Sequence, residues 1–242
     1  MSDRRSGRGA GPLRVALVGA TGLIGRSLIE AAIGREDIRI TGVARREMPL
    51  PTGAKMEMFV AEPDKWSDIF EAVRPQVLVN ALGTTWRKSG QDEAAFRSVD
   101  QELVLATAKA ARAHGTQRMI SVSSVGAAQG SKNFYLRVKG EVERDLAKIG
   151  FARLDILRPG LLRGPRGEDR RRKERLAIAA SPVTDLLLHG QYRRFRSIPA
   201  RTVAEAALAL AMKETRGRYT HDNDALRRLA KGLPKPAEER AK

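Results

Sequence analysis

Gly19-Ala20-Thr21-Gly22-Leu23-Ile24-Gly25 directly follows the apolar run Leu13 to Val18 and leads straight into a helix-like run, Arg26 to Ala32. Strand, glycine turn and helix in this order read as a dinucleotide-binding unit. Each glycine has a physical task there. Gly19 allows the sharp turn out of the strand, Gly22 lets backbone approach a pyrophosphate, and Gly25 lets the helix pack closely on the strand. Thr21, Leu23 and Ile24 fill the turn and count with the glycines as cofactor-binding positions. The helix N-terminus then faces the phosphates with unpaired N–H groups.

Working outward, apolar runs at Leu13–Val18, Ile38–Ala44, Met56–Val60, Val77–Ala81, Arg118–Val122 and Arg153–Leu157 read as strands. Helical patterns occupy about 23–34, 65–73, 92–114 and 134–149, closed by Gly34, Pro75, Gly115 and Gly150. Such alternation predicts an α/β fold, a Rossmann-type doubly wound parallel sheet with helices on both faces. Residues 13–230 are expected to form one domain, with a small substrate-covering segment at about 160–201. Residues 1–12 read as a flexible basic arm and 231–242 as a flexible polar tail.

Composition narrows the chemistry. The 242 residues contain no cysteine, which excludes disulfides, thiolate nucleophiles and cysteine-bound metals. His114, His189 and His221 are scattered and suggest solvated or capping roles rather than a metal cluster. No apolar run approaches the roughly 18 residues that cross a bilayer, so the chain is expected to avoid membranes and to be cytoplasmic. The formal net charge is +17, and Arg158 to Arg175 alone holds eight basic and three acidic residues. Either this is a solvated arginine-rich surface, or it draws an anionic substrate or nucleic acid. With few aromatics and no recognition motif, no specific nucleic acid is expected.

The second strand should end near the adenosine ribose, about twenty residues beyond the glycines, where an NAD-selective site places an acid. Here Arg45 and Arg46 stand instead. A guanidinium grips a 2′-phosphate with paired hydrogen bonds, so NADP(H) is favoured over NAD(H). Arg26 offers a second contact. The fourth strand leads into Asn80-Ala81-Leu82-Gly83-Thr84-Thr85, where small residues let backbone pass close to the cofactor. The fifth ends in Ser121-Val122-Ser123-Ser124. Tyr135 and Lys139 follow Ser124 by eleven and fifteen residues, so on a helix they share one face. An ammonium near a phenol favours the phenolate and suits it to acid–base work, and a serine hydroxyl can hold the reacting oxygen beside it.

These motifs together resemble the atypical or extended short-chain dehydrogenase/reductases, and most of all the oxidoreductase subgroup named for the human Tat-interactive protein. The resemblance rests on Leu82-Gly83-Thr84-Thr85, on Phe134-Tyr135-Leu136-Arg137-Val138-Lys139-Gly140-Glu141-Val142-Glu143 and on Leu157-Arg158-Pro159-Gly160-Leu161-Leu162, within about residues 13 to 215. It implies that Tyr135 donates or accepts the proton, that Lys139 binds the nicotinamide ribose and tunes Tyr135, and that Ser124, or less readily Ser123, positions the substrate oxygen. Leu82 and Gly83 would border the cofactor, and Pro159, Leu161 and Leu162 would lie along the nicotinamide. Two departures stand out. Asp100 occupies a helix position where many relatives carry asparagine, and Ala61-Glu62-Pro63-Asp64 supplies no secure aspartate for adenine.

The expected function is NADP(H)-dependent hydride transfer between nicotinamide and a carbonyl or alcohol. The alternatives are a nucleotide-sugar-type epimerase or dehydratase on the same fold, and a non-catalytic NADP(H)-binding regulator or redox sensor. A serine hydrolase fits poorly, for want of a Gly-x-Ser-x-Gly elbow. The substrate is a small molecule, anionic if the arginines after Pro159 and the Leu176 to Ala180 run form a lid; the same stretch also reads as a surface helix that only completes the fold. The chain is expected to be a monomer or a homodimer, pairing through 92–114 and 134–149.

Overall fold

The computed structural model describes residues 11–84, 89–164 and 190–235. The expected N-terminal arm to residue 10, most of the arginine-rich segment and the tail beyond residue 235 lie outside them. In the order β3-β2-β1-β4-β5-β6-β9, seven strands form one wholly parallel sheet. They are β1 (Leu13–Val18), β2 (Ile38–Ala44), β3 (Glu57–Val60), β4 (Val77–Asn80), β5 (Arg118–Val122), β6 (Arg153–Leu157) and β9 (Gly217–His221). Two short strands, β7 (Leu162–Arg163) and β8 (Ile198–Pro199), pair separately. The chain runs outward from β1 to β3 and then returns to place β4 on the other side of β1. That reversal opens a crevice at the carboxyl ends of β1 and β4.

Two-residue alternation along the strands builds two cores. Val15, Leu17, Val77, Val79 and Ile120 face a layer of α1 (Leu23–Ala31), α6 (Ala200–Ala211) and α7 (Asn223–Lys231). Ala16, Val18, Leu78 and Met119 face α2 (Trp66–Val73), α3 (Glu93–Arg97), α4 (Val104–Ala113) and α5 (Phe134–Leu146). Both faces are thus covered, as a parallel sheet requires. Trp66, Phe70 and Phe96 are the largest buried side chains of the second core, whereas alanines dominate α6 and let it lie close to its neighbours.

The expected elements are present within a few residues, with three differences. The run at 92–114 is interrupted by a π-helical turn, Ser98–Leu103, between α3 and α4. Strand β9 was not legible because Gly-Arg-Tyr-Thr-His is polar and half-exposed at the sheet's edge. Helices α6 and α7 also go beyond the sequence expectation. An alanine-rich run signals burial only weakly, because its apolar area is small.

Gly140 shows how packing overrides local preference. A Cβ there would lie 2.4 Å from the Ala128 carbonyl carbon and 2.5 Å from the Gln129 nitrogen. The loop after β5 crosses α5 at that point and is tied to it by the Ala128 N–H donating to the Leu136 carbonyl at 3.1 Å. Helix propensity favours alanine over glycine by about 1 kcal/mol, yet the collision should reverse the sign. Gly140→Ala is expected to lower stability by about 1–3 kcal/mol in urea unfolding; a gain would show that the loop does not press on α5.

Candidate functional site

Strand register brings the sequence motifs to one edge. Val18 pairs with Val43 on one side and Asn80 on the other, Asn80 with Ser121, and Val122 with Leu157. The turns after β1, β2, β4, β5 and β6 therefore emerge side by side at the carboxyl ends of the strands.

At the crevice Gly19 adopts φ +82°, and a Cβ on it would lie 2.4 Å from the Ala81 carbonyl. Only a glycine lets the first turn and the fourth meet this closely. The Gly22 N–H donates to the Gly19 carbonyl at 3.0 Å. Gly25 differs from expectation in its partner, because a Cβ there would meet the Gly19 oxygen at 2.3 Å. It seats the helix on the turn itself rather than on the strand. Helix α1 begins at Gly22 with no side-chain cap and no acid in its first turn, leaving its N–H groups free for an anion. A cradle that any Cβ would fill, beside an uncapped helix end, fits a dinucleotide pyrophosphate. Thr21 is exposed and Leu23 half-buried, while the Ile24 side chain lies in the core and can offer only its backbone N–H.

Arg45 and Arg46 follow β2 on the exposed rim, without a carboxylate partner among the described residues. Arg26 makes a loose pair with Glu30 at 3.5 Å.

The Leu82 and Gly83 loop is shaped by two buried acceptors. Asn80, 1% exposed, donates to Ser121 Oγ at 3.0 Å and accepts the Leu82 N–H at 3.2 Å. Asp100, fully buried in the π-helical turn, accepts the Thr84 N–H on Oδ2 at 2.6 Å. Its Oδ1 lies 2.8 Å from the Lys139 ammonium, its sole polar partner among the described residues. Burial pushes the Lys139 amine down, but Asp100, aided by Tyr135 and Glu143, outweighs it and holds the group above its ordinary pKa. A Cβ on exposed Gly83 would sit 3.5 Å from Asp100 Oδ1 and 3.9 Å from Lys139 Nζ, so the bare loop lies directly over the pair.

Helix α5 carries Tyr135 and Lys139. It starts at Asn133, whose side chain accepts the Leu136 N–H at 3.1 Å. The Tyr135 ring stands edge-on to Phe96 at 5.6 Å, and no hydrogen bond among the described residues engages its hydroxyl. The two serines divide. Ser123 is buried and donates to Glu143, which is also gripped by Arg158 through two hydrogen bonds. Ser124 is half-buried, and among the described residues its hydroxyl makes only a 3.4 Å contact to the Val125 carbonyl.

The turn after β6 is clamped from α7. Buried Asn223 accepts the Gly160 N–H at 2.9 Å and donates to the Arg196 carbonyl, and a Cβ on Gly160 would strike that carbonyl at 2.2 Å. Pro159 is buried, Leu162 half-buried and Leu161 50% exposed toward solvent. Neither Glu143 nor Asn223 was anticipated. Glu143 could have been found four residues beyond Lys139 on the same helix face, whereas Asn223 carries no sequence signal. His221 also corrects expectation. It lies 2.8 Å from buried Asp155, itself held bidentately by Arg153, and is neither solvated nor a cap. Most of the proposed lid, beyond Gly164, lies outside the described residues. A cavity of about 610 Å³ lined by Arg14, Arg74, His114 and Arg118 sits at the opposite edge, where strands begin, away from these groups.

Comparison with known proteins places this arrangement. The family described as NAD(P)H-binding matches residues 19–214. The Candida albicans protein FMP52, mitochondrial, is 38% identical over 157 residues, covering 63% of this chain and 68% of the relative. Its Aspergillus fumigatus counterpart is 31% identical over 210 residues, covering 84% and 88%. Among solved structures, UDP-glucose 4-epimerase of Thermotoga maritima with UDP-glucose superposes with a TM-score of 0.66 at 16% identity, over 92% of this chain and 84% of that one. The Thermus thermophilus UDP-glucose 4-epimerase complex with NAD gives 0.65 at 20% identity, over 91% and 82%. At such identities the likeness concerns the fold alone. The relatives' names overturn the cytoplasmic expectation, since they are mitochondrial proteins. That expectation rests on the lack of an apolar segment, and mitochondrial transit sequences are arginine-rich and need none. Because the match begins at the glycine turn and runs through α5 and the turn after β6, the chain belongs to the NAD(P)H-binding family.

Proposed function

We propose that the protein is an NADP(H)-dependent oxidoreductase acting on a carbonyl or alcohol through Ser124, Tyr135 and Lys139. The observation that carries this reading is a buried, charged lysine one helical turn from a phenol whose hydroxyl makes no hydrogen bond among the described residues, at the edge where the glycine turn opens. The nicotinamide would supply or accept the hydride when bound. In the reducing direction Tyr135 gives its proton to the carbonyl oxygen, and the Ser124 hydroxyl donates a second hydrogen bond that holds that oxygen in place. The Lys139 ammonium binds the ribose hydroxyls and stabilises the phenolate left on Tyr135. Phe96 packs edge-on against the phenol ring, and Leu161 would border the nicotinamide. In the oxidising direction the same groups act in reverse.

NADP(H) is the proposed form because the rim beyond β2 carries two exposed arginines without carboxylate partners among the described residues. Each charge-assisted hydrogen bond to a 2′-phosphate is worth about 1.5–3 kcal/mol. In a fluorescence titration NADPH should bind well ahead of NADH, and Arg45→Ala should weaken NADPH by roughly ten- to a hundredfold while leaving NADH nearly unchanged. Tighter binding of NADH by the unaltered protein would reverse the assignment. In a carbonyl screen followed by nicotinamide absorbance, Tyr135→Phe should lower kcat by about 10²–10⁴-fold with little change in cofactor affinity. Undiminished turnover in that variant would remove Tyr135 from the mechanism.

A further inference from the structure

We propose that Asp100 is a positioning residue of this site, a buried counter-ion that holds the Lys139 ammonium and ties it to the backbone of the loop after β4. The proposal rests on the reading of Lys139 as a cofactor-binding group, but the contacts themselves stand apart from any turnover.

The two oxygens of Asp100 have separate tasks. Oδ2 takes the Thr84 N–H at 2.6 Å and so fixes the loop, while Oδ1 faces Lys139 Nζ at 2.8 Å. Neither partner has access to water as an alternative, because the Asp100 side chain is 0% and the Lys139 side chain 7% exposed. A charge in such a place persists only with a counter-ion. The other charged groups around it are engaged elsewhere. Glu143, one turn along α5, holds Arg158 and the Ser123 hydroxyl. Glu141 holds Arg97, which also bonds Gln101, and the Arg137 guanidinium lies over the Phe134 ring. Asp100 is therefore the direct neutraliser of Lys139 among the described residues.

Backbone geometry agrees. Asp100 sits within the π-helical turn between α3 and α4, a conformation that costs regular hydrogen bonding and gathers at functional sites. It is also where the resemblance leads one to expect asparagine. An asparagine could accept the Thr84 N–H equally well, but its amide would carry no charge to balance the ammonium. The difference between the two residues is thus confined to Oδ1, and Asp100→Asn isolates it.

The test is a stability cycle with Asp100→Asn, Lys139→Met and the double variant, joined to a titration of the Lys139 side-chain nitrogen by NMR in the full chain. Asp100→Asn should unfold at lower denaturant than the unaltered protein. The double variant should recover much of that loss, since it strands no charge. In Asp100→Asn the Lys139 amine should lose its proton about 4 pH units earlier, as expected for a fully buried amine without a counter-ion. NADPH affinity in that variant should then fall about tenfold at pH 8 and recover toward pH 6, where the amine is charged again, while the unaltered protein stays level. A double variant no more stable than Asp100→Asn, or a Lys139 that titrates alike in both proteins, would overturn the proposal. Failure of NADPH to bind even the unaltered protein would strike the proposed function instead, and leave the stability cycle to judge Asp100.

Discussion

The whole arrangement depends on one close approach, the contact of the turn after β1 with the turn after β4 at Gly19. A single methyl there would sit 2.4 Å from the Ala81 carbonyl and drive the two turns apart. The separation of those turns sets where the uncapped start of α1 points, and also where the Leu82 to Thr84 backbone lies over Lys139. Gly25 extends the same constraint by one helical turn, since it holds the start of α1 against the Gly19 carbonyl. A parallel sheet offers such a meeting point only where strand order reverses, which explains why ligand-binding turns collect between β1 and β4.

Buried charge is the second organising theme, and it serves different ends in different places. At the crevice, Lys139 and Asp100 keep an ammonium inside a dry site, where it can act on a neighbouring phenol. Beside it, Glu143 links the Ser123 hydroxyl of the β5 turn to Arg158 of the β6 turn and so joins two rims of the same edge. At the far side, Arg153 grips Asp155, lies over the Tyr219 ring at 4.4 Å and is joined by His221 through the same carboxylate. That group binds a polar edge strand, β9, to the sheet without apolar alternation. Buried pairs of this kind specify which residues face each other more than they add to stability.

Membership of the NAD(P)H-binding family gives these features a common purpose without dictating the chemistry in detail. The Aspergillus relative covers 84% of the chain, so its likeness is not confined to the nucleotide half. Fold-level likeness to epimerases is compatible with several reactions, since one bound nicotinamide can support them all. The features that bear on chemistry are local. Arginines follow β2 where an acid would favour NAD, and an aspartate faces the lysine.

Much of this was legible from residues alone. Continuous apolar runs such as Leu13–Val18 and its counterparts marked buried strands, and the glycine spacing marked the turn, because both follow from backbone geometry over a few residues. The four-residue step from Tyr135 to Lys139 likewise placed them on one face of α5. The preference for Ser124 over Ser123 came only through the resemblance; that Glu143 engages the Ser123 hydroxyl from twenty residues away carries no sequence signal. Nor could sequence show that Asp100 neutralises Lys139, that Asn223 clamps Gly160, or that His221 joins a buried carboxylate. Each of those is a meeting of segments distant in the chain, fixed by strand register and helix packing. The sequence by itself determined the fold class, the phosphate turn and the order of the motifs, because these are local regularities. Only the tertiary structure decided which polar groups are paired and which are left free, because that depends on what burial brings within hydrogen-bonding distance.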